Sequence, residues 1–200
     1  MEQKMRIACA VLAGGKSSRM RQDKALLKIR EETFLDILCR TLEETGIFEE
    51  KIVAVGRRIL PKREGWQQVE DIYPESGPLA GIHGVLAASS ADAVFFISCD
   101  MPLITGDLVE RICQRLSYEE VVVVKTRDGR CHPLCGIYKT SLYNKSEKAI
   151  LSQNYRMLEL LEQSDTTWLL PKEEEEICLT NVNTPEEYLE LIGRLKGVGK

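Results

Sequence analysis

Four cations, Lys16, Arg19, Arg21 and Lys24, follow closely on a glycine pair, Gly14-Gly15, near the start of the chain. The residues before the pair, Ile7 to Ala13, are small or apolar and have no helical period. A short apolar run that ends in Gly-Gly reads as a buried, parallel-type strand feeding a loop. Glycines there remove the side chains that would keep a ligand from the backbone, and they permit positive φ. Cations and backbone N–H groups collected in such a loop suit a polyanion, above all a triphosphate. A carboxylate stands at the end of another apolar run. Ala93 to Ser98, AVFFIS, leads straight into Cys99-Asp100-Met101-Pro102, and its composition is that of a buried strand. An aspartate just past the C-terminal end of such a strand is placed to bind Mg²⁺, because ligands of open α/β sheets gather at that edge. Mg²⁺ needs few carboxylates and completes its shell with phosphate oxygens and water, so Asp100 suffices beside a triphosphate. The structural alternative is that Asp100 opens the turn ahead of Pro102. If the two strands are parallel neighbours, Asp100 and the glycine loop share one edge of a sheet.

Two better-known phosphate motifs are not met. A Walker A loop reads G-x-x-x-x-G-K-[ST]. Gly15-Lys16-Ser17 fits its end, but the first glycine would fall on Ala10, inside the strand. Gly14-Gly15 also lacks the spacing of G-x-G-x-x-G. Cys131, His132 and Cys135 lie close together, yet they offer three ligands without an evident fourth, which argues against zinc. A lone histidine is more often a packed core residue than a catalyst, and His132 is weighed accordingly.

Composition bounds the rest. Two hundred residues suggest one domain, and 44% hydrophobic content provides for a core. A formal charge of −4 does not suit a protein that coats nucleic acid, so the basic residues act locally. Seven cysteines, an odd number scattered through apolar runs, indicate reduced thiols and a cytoplasmic protein. No run reaches the roughly 18 apolar residues of a membrane helix. Lys4 and Arg6 ahead of IACAVLA weakly resemble a signal peptide, but the stretch is short and is kept as a core strand.

The elements that must position these groups follow in order. An extended piece covers Ala25 to Ile29, and a helical period runs from Thr33 to Thr45, with Gly46 placed to end it. Ile52 to Val55 is a second strand closed by Gly56, and Gln67 to Ile72 a short one ending near Asp71. Pro74 to Gly84 is a shaped loop, and Leu79 to Ala88 suits a tightly packed helix. Its small residues would let either another backbone or a flat ligand ring come close. Thr105 caps a helix to about Leu116. Val121 to Thr126 and Cys131 to Tyr138 form a hairpin about Asp128-Gly129. Ser141 to Gln153 and Arg156 to Gln163 are helical, and Thr167 to Leu170 is a strand. Lys172 to Glu176 is a solvated loop, and Ile177 to Val182 a last strand. Thr184, Pro185 and Glu187 then start the final helix with a capping box.

Taken together, these motifs resemble the nucleotidyltransferases of GT-A-like, Rossmann-related fold, and more closely the molybdenum cofactor guanylyltransferase family. The residues that carry the resemblance are Leu12 to Met20, Asp23 to Leu27, Gly77 to Ile82, Cys99 to Leu103 and Asn181 to Glu186. The resemblance implies a single nucleotidyltransferase domain over residues 1–200: an α/β, three-layer, mostly parallel sheet with helices on both faces. Residues 7–116 would bind nucleotide and Mg²⁺, and residues 120–196 would complete the sheet and the pterin side. It implies GTP and molybdopterin as substrates. Leu12, Ala13, Gly14 and Gly15 would lie at the GTP site, with Asp71 also touching the nucleotide. Asp100 would bind both nucleotide and Mg²⁺, and Pro78 and Leu79 would lie by the base. Arg19 and Lys24 would hold the β- and γ-phosphates, with Lys16 as a helper. Asn181 and Asn183 would face the pterin. Neither nucleic acid nor membrane is expected as a partner; transient contact with other cofactor-biosynthesis or acceptor proteins is. Two positions depart from the family pattern: Arg21 stands where a glycine is usual, and Val55 where a polar Asn is. Arg57 or Arg58 could make the hydrogen bond to the nucleotide that a valine cannot. The alternatives are a related transferase using CTP or a sugar phosphate, and a nucleotide-binding regulator without chemistry.

Overall fold

Alternate residues of the first strand face two different cores. In the computed structural model, which describes residues 5–14 and 23–197, β1 (Ile7–Leu12) turns Cys9 and Val11 to one side and Ala8, Ala10 and Leu12 to the other. A strand can be apolar on both faces only where both are covered. Helices α1 (Phe34–Glu44) and α3 (Gly106–Arg115) cover the first face, through Leu38, Leu42, Leu108 and Ile112. Helix α2 (Pro78–Ala88) covers the second with Leu79, Ile82, Val85 and Leu86, joined by α4 (Tyr143–Leu151) and α5 (Met157–Glu162).

The small hairpin of β2 (Lys28–Ile29) and β3 (Glu32–Thr33) precedes α1. The main sheet has seven strands: β1, then β4 (Glu50–Gly56), β5 (Gln67–Glu70), β6 (Ala93–Ser98), β7 (Val121–Lys125), β8 (Cys131–Lys139) and β9 (Thr166–Leu169). Their spatial order is β5-β4-β1-β6-β8-β7-β9. Only β8 runs against its neighbours; β5, β4, β1 and β6 are parallel, and so are β7 and β9. In register, Leu12 of β1 lies opposite Ser98 of β6 and Ala54 of β4. The loops after all three strands therefore open on one edge. This is the mostly parallel, helix-covered α/β architecture expected above.

Local chemistry explains where the helices begin. Thr33 Oγ1 accepts the amide of Asp36 at 3.0 Å, and the Asp36 carboxylate accepts the Thr33 amide at 3.4 Å. That is a reciprocal cap for α1. The final helix α6 (Pro185–Gly197) is capped in the same way, with the Glu187 carboxylate accepting the amides of Asn183 and Thr184. Leu191 of α6 packs with Leu27, Phe34 and Val182 in a small third core. That cluster ties the chain's end to the turn that follows Lys24.

The structure differs from the sequence reading in several places. Residues Lys24–Leu26 form a 3-10 turn, and only Lys28–Ile29 pair as a strand. Helix α2 begins at Pro78, so Pro78 to Gly84 is helix and not loop. Ile177 to Val182 is no strand: Glu173–Leu179 is a 3-10 helix, and Cys178, Leu179 and Val182 are buried without joining the sheet. Nor is the glutamate run wholly solvated. Glu175 is buried and paired with Arg111, whose Nε donates at 3.1 Å, and it accepts the Lys172 amide at 2.7 Å. Burial pushes its carboxyl up, but the Arg111 and Lys172 hydrogen bonds outweigh that and hold it below the usual range.

On β8, Gly136 lies opposite Val123 of β7. A Cβ at Gly136 would overlap the Val122 carbonyl oxygen and the Val123 side chain. Gly193 in α6, by contrast, has open space around it. Gly136→Ala is expected to lower unfolding free energy by about 1–3 kcal/mol through overpacking. Gly193→Ala is expected to raise it by about 0.5–1 kcal/mol through helix propensity. Urea denaturation of the two variants checks both signs.

Candidate active site

The edge where β1, β4 and β6 end holds a cavity of about 750 Å³. Leu12, Ala13 and Gly14 line it from β1, and Ala54 and Gly56 from β4. Gly14 must be glycine for packing reasons. A Cβ there would lie 2.9 Å from the Gly56 amide nitrogen and 3.1 Å from its Cα, closer than real side chains approach. The amides of Ala13 and Gly14 both donate to the Ala54 carbonyl, at 2.9 and 2.8 Å. Those two N–H groups thus close the sheet edge and are not available to a phosphate. The phosphate-loop expectation then falls on Gly15, Lys16, Arg19 and Arg21, which lie outside the described residues.

Lys24 is positioned from both sides. Asp23 caps the 3-10 turn by accepting the Ala25 amide at 3.0 Å. Arg58 Nη1 holds Asp23 at 2.6 Å and the Ala13 carbonyl at 3.0 Å. The Lys24 ammonium reaches across to the end of β6, where it stands 3.5 Å from Asp100 Oδ2 and donates to Asn183 Oδ1 at 2.7 Å. Asp100 receives Asn181 Nδ2 on its other oxygen at 3.0 Å, and Arg130 donates to Asn181 Oδ1 at 3.1 Å. Lys24 and Asp100 are each about 15% exposed, at 15% and 14%. They are sheltered enough for their charges to act on a ligand with little screening, and open enough to touch it.

Asn181 and Asn183, expected on the pterin side, hold the two charges. The Val182 amide donates to the Asp100 carbonyl at 2.8 Å. Val182 turns into the small core while the flanking amides turn to Asp100 and Lys24.

Asp71, beyond β5, lines the same cavity, and burial raises its carboxyl above the usual value although Arg57 pulls the other way. Arg57 and Arg58 line it too, on the side of Val55. Pro78, at the start of α2, lines the cavity, whereas the Leu79 side chain is fully buried beneath the sheet. Leu79 itself does not line the cavity. Gly81, one turn on, keeps α2 close to Leu12 and Ala54: a Cβ there would meet the Leu12 side chain at 3.2 Å. Cys99 also lines the cavity, but burial and then the adjacent Asp100 push its thiol up to about 12. It remains protonated at neutral pH and is no nucleophile.

Among the described residues, no group of three or more His, Cys, Asp or Glu side chains is gathered to hold a metal. Asp100 stands as a single carboxylate with two hydrogen-bond partners on its two oxygens, and a carboxylate has about four acceptor positions. That donor set fits a hard cation that arrives with phosphate oxygens. Sequence reasoning named Asp23 in a motif but gave it no role, although its cap sets the Lys24 turn, and it missed Leu134, which closes the cavity from β8. The Asp two residues before Ala25 was the available signal for the first; Leu134 had none.

Comparison with known proteins agrees with this geometry. The family model for a MobA-like NTP transferase domain matches residues 9–167. The chain is 33% identical over 194 residues to the probable molybdenum cofactor guanylyltransferase of Clostridium perfringens, covering 92% of this chain and 96% of that one. It is 32% identical over 181 residues to the molybdenum cofactor guanylyltransferase of Vibrio atlanticus, covering 88% and 91%. Among solved structures, the molybdopterin-guanine dinucleotide biosynthesis protein A of Archaeoglobus fulgidus superposes with a TM-score of 0.79 at 20% identity, over 95% of this chain and 98% of that one; at that identity it shows the shared fold. A strand-edge cavity that joins Gly14, Lys24 and Asp100, and a match over most of the sequence, lead to one conclusion: the chain belongs to the MobA-like NTP transferase family.

Proposed function

We propose that this protein transfers GMP from GTP to molybdopterin, forming the guanine dinucleotide form of the molybdenum cofactor and releasing pyrophosphate. The observation that carries the reading is the Lys24–Asp100 pair on the wall of the cavity, each partner held by one asparagine of the 181–183 segment. Two opposite charges 3.5 Å apart, fixed at a strand edge, can grip an anionic phosphate chain and its counter-cation at once. The relatives named as guanylyltransferases support the choice of GTP, since the fold alone does not choose a base.

In this reading, an oxygen of the terminal phosphate of molybdopterin attacks the α-phosphorus of GTP. A P–O bond forms, the bond to the β-phosphate bridging oxygen breaks, and the electron pair leaves on pyrophosphate. A phosphate monoester already carries most of its second negative charge at pH 7, so no general base is required. The chain's contribution is alignment and charge neutralisation. Lys24, kept in place by Asn183, meets the phosphates, with Arg19 and Lys16 as further cations. Asp100 would hold a divalent cation, Mg²⁺ in our reading. When bound, that ion supplies charge neutralisation on the α-phosphate and the leaving group. Leu12, Ala13, Gly14, Asp71 and Pro78, which line the cavity, surround the nucleoside. Seven free cysteines support a reducing, cytoplasmic setting. Among the described residues no helix is long and apolar enough to cross a membrane.

Three measurements test the reading. Incorporation of α-labelled GTP into a pterin product is the direct assay; GTP binding without turnover would leave only a regulator. Asp100→Asn should cut turnover by about a hundredfold or more, the scale of losing one preorganised electrostatic contact, and near-normal activity in that variant would remove Asp100 from its role. Calorimetric titration in Mg²⁺ should show GTP binding more tightly than CTP or UTP, and the reverse order for CTP would overturn the choice of base.

A further inference from the structure

The first cavity, at the ends of β1, β4 and β6, is walled on one side by the segment that joins β5 to α2. Pro74, Glu75, Gly77 and Pro78 of that segment line it. Their path is a strained one. Glu75 has a φ of 69° and Gly77 a φ of 64°. A residue with a Cβ enters that left-handed region at a cost, and stays there only where its surroundings hold it. The main chain gives little hold. Among the described residues, Ile72, Tyr73, Pro74 and Ser76 make no main-chain hydrogen bond.

A side chain supplies the tether. Tyr73 does not line the cavity; it packs on the second core, and its hydroxyl donates to Glu147 Oε1 at 3.1 Å. Glu147 stands on α4, 74 residues further along the chain. It lines neither the first cavity nor a second one, of about 1130 Å³, that Arg130, His132 and Asn183 help to bound. The hydroxyl of Tyr143, also on α4, donates to the same Glu147 oxygen at 3.2 Å.

His83 of α2 is fully buried against both phenol rings, with centroids 5.2 Å from Tyr73 and 4.8 Å from Tyr143. It does not compete for the carboxylate. Its Nε2 stays 3.9 Å from Glu147 Oε1, beyond hydrogen-bond reach, and neither ring nitrogen has a hydrogen-bond partner. Burial lowers its pKa against the pull of Glu147, so the ring is neutral at pH 7. The imidazole is a spacer between helix and loop, and the Glu147 oxygen is left to the two phenols. A phenol on a carboxylate makes the stronger, charge-assisted kind of hydrogen bond.

We propose that Glu147 is a positioning residue for the nucleotide: by gripping Tyr73 it fixes residues 74–78 in the conformation that lines the first cavity, and so sets the affinity for GTP from a helix remote from every site motif. This deepens the GTP reading proposed above and rests on it. Because Glu147 lines neither cavity, its loss falls on GTP binding and not on the chemical step. Tyr143 supplies the control, since its hydroxyl meets the same oxygen without belonging to the 74–78 segment.

The test is calorimetric titration of the full chain with GTP in Mg²⁺, together with steady-state GMP transfer. Tyr73→Phe and Glu147→Leu should each raise the Kd and the KM for GTP roughly three- to tenfold, the scale of one hydrogen bond, with kcat unchanged. The double variant should be no worse than either alone, because both changes remove one shared contact. Glu147→Gln keeps an acceptor oxygen and should bind GTP nearly as the wild type does. Tyr143→Phe should leave GTP affinity alone. A contact that only stabilises the fold would lower the thermal midpoint of both phenylalanine variants and move GTP binding in neither. Unchanged GTP affinity in Tyr73→Phe overturns the inference, whether or not Glu147→Leu folds. So does an equal rise in Kd in Tyr143→Phe, or a loss that falls on kcat alone. A wild type that binds no GTP defeats the proposed function, whereas one that binds GTP with Tyr73→Phe indifferent defeats only this inference.

Discussion

The site depends on keeping a cation and a carboxylate apart as well as close. Lys24 and Asp100 come from motifs 76 residues apart and meet at 3.5 Å, too long for a tight ion pair. Each is instead held by an amide: Asn183 takes the ammonium at 2.7 Å, and Asn181 gives a hydrogen bond to the carboxylate at 3.0 Å. A tight, mutually satisfied pair would have to be broken before either group could meet a phosphate or a metal. Held by neutral amides, both charges keep unused bonding capacity, and the arrangement is ready before the ligand arrives. Such preorganisation is what electrostatic stabilisation of a charged transition state requires.

That arrangement in turn depends on close backbone approach. β1 ends against β4 so tightly that Gly14 has no room for a side chain, and α2 presses on Leu12 through Gly81. The cavity floor is made of main chain, with the Ala54 carbonyl satisfied by two amides of β1. Arg58 then spans the Ala13 carbonyl and Asp23, fixing the return of the chain after the cation-rich segment.

Much of this was legible in the sequence, for identifiable reasons. AVFFIS is β6 to the residue, because a short run apolar on both faces, followed by Cys-Asp-Met-Pro, admits little else. The shared edge of Gly14 and Asp100 followed from parallel pairing. Other features were hidden because two patterns fit the same residues. Ile177 to Val182 is β-prone, yet Cys178 and Leu179 are also the buried apolar residues of a 3-10 helix that ends at Leu179; tertiary burial chose the helix. Glu175 looked solvated because its partner Arg111 lies 64 residues away. Asn181 and Asn183 gave no local signal of this role, because their partners Asp100 and Lys24 lie 81 and 159 residues away. The resemblance gave them to the pterin, whereas the geometry shows them holding the two charges first.

The one antiparallel strand accounts for the division of labour. Strands β5, β4, β1 and β6 run parallel and deliver their loops to the edge that holds the first cavity. A further parallel strand beside β6 would have added another loop at that edge, and would have carried its side chains there from its end only. Because β8 runs the other way, its beginning, from Cys131 to Leu134, lies against the end of β6. The β7–β8 ladder bulges there, so that Leu134 lines the first cavity and His132 the second, and the Asn181–Asp100 hydrogen bond crosses between them. A single reversed strand with a bulge at its start is enough to build the wall they share.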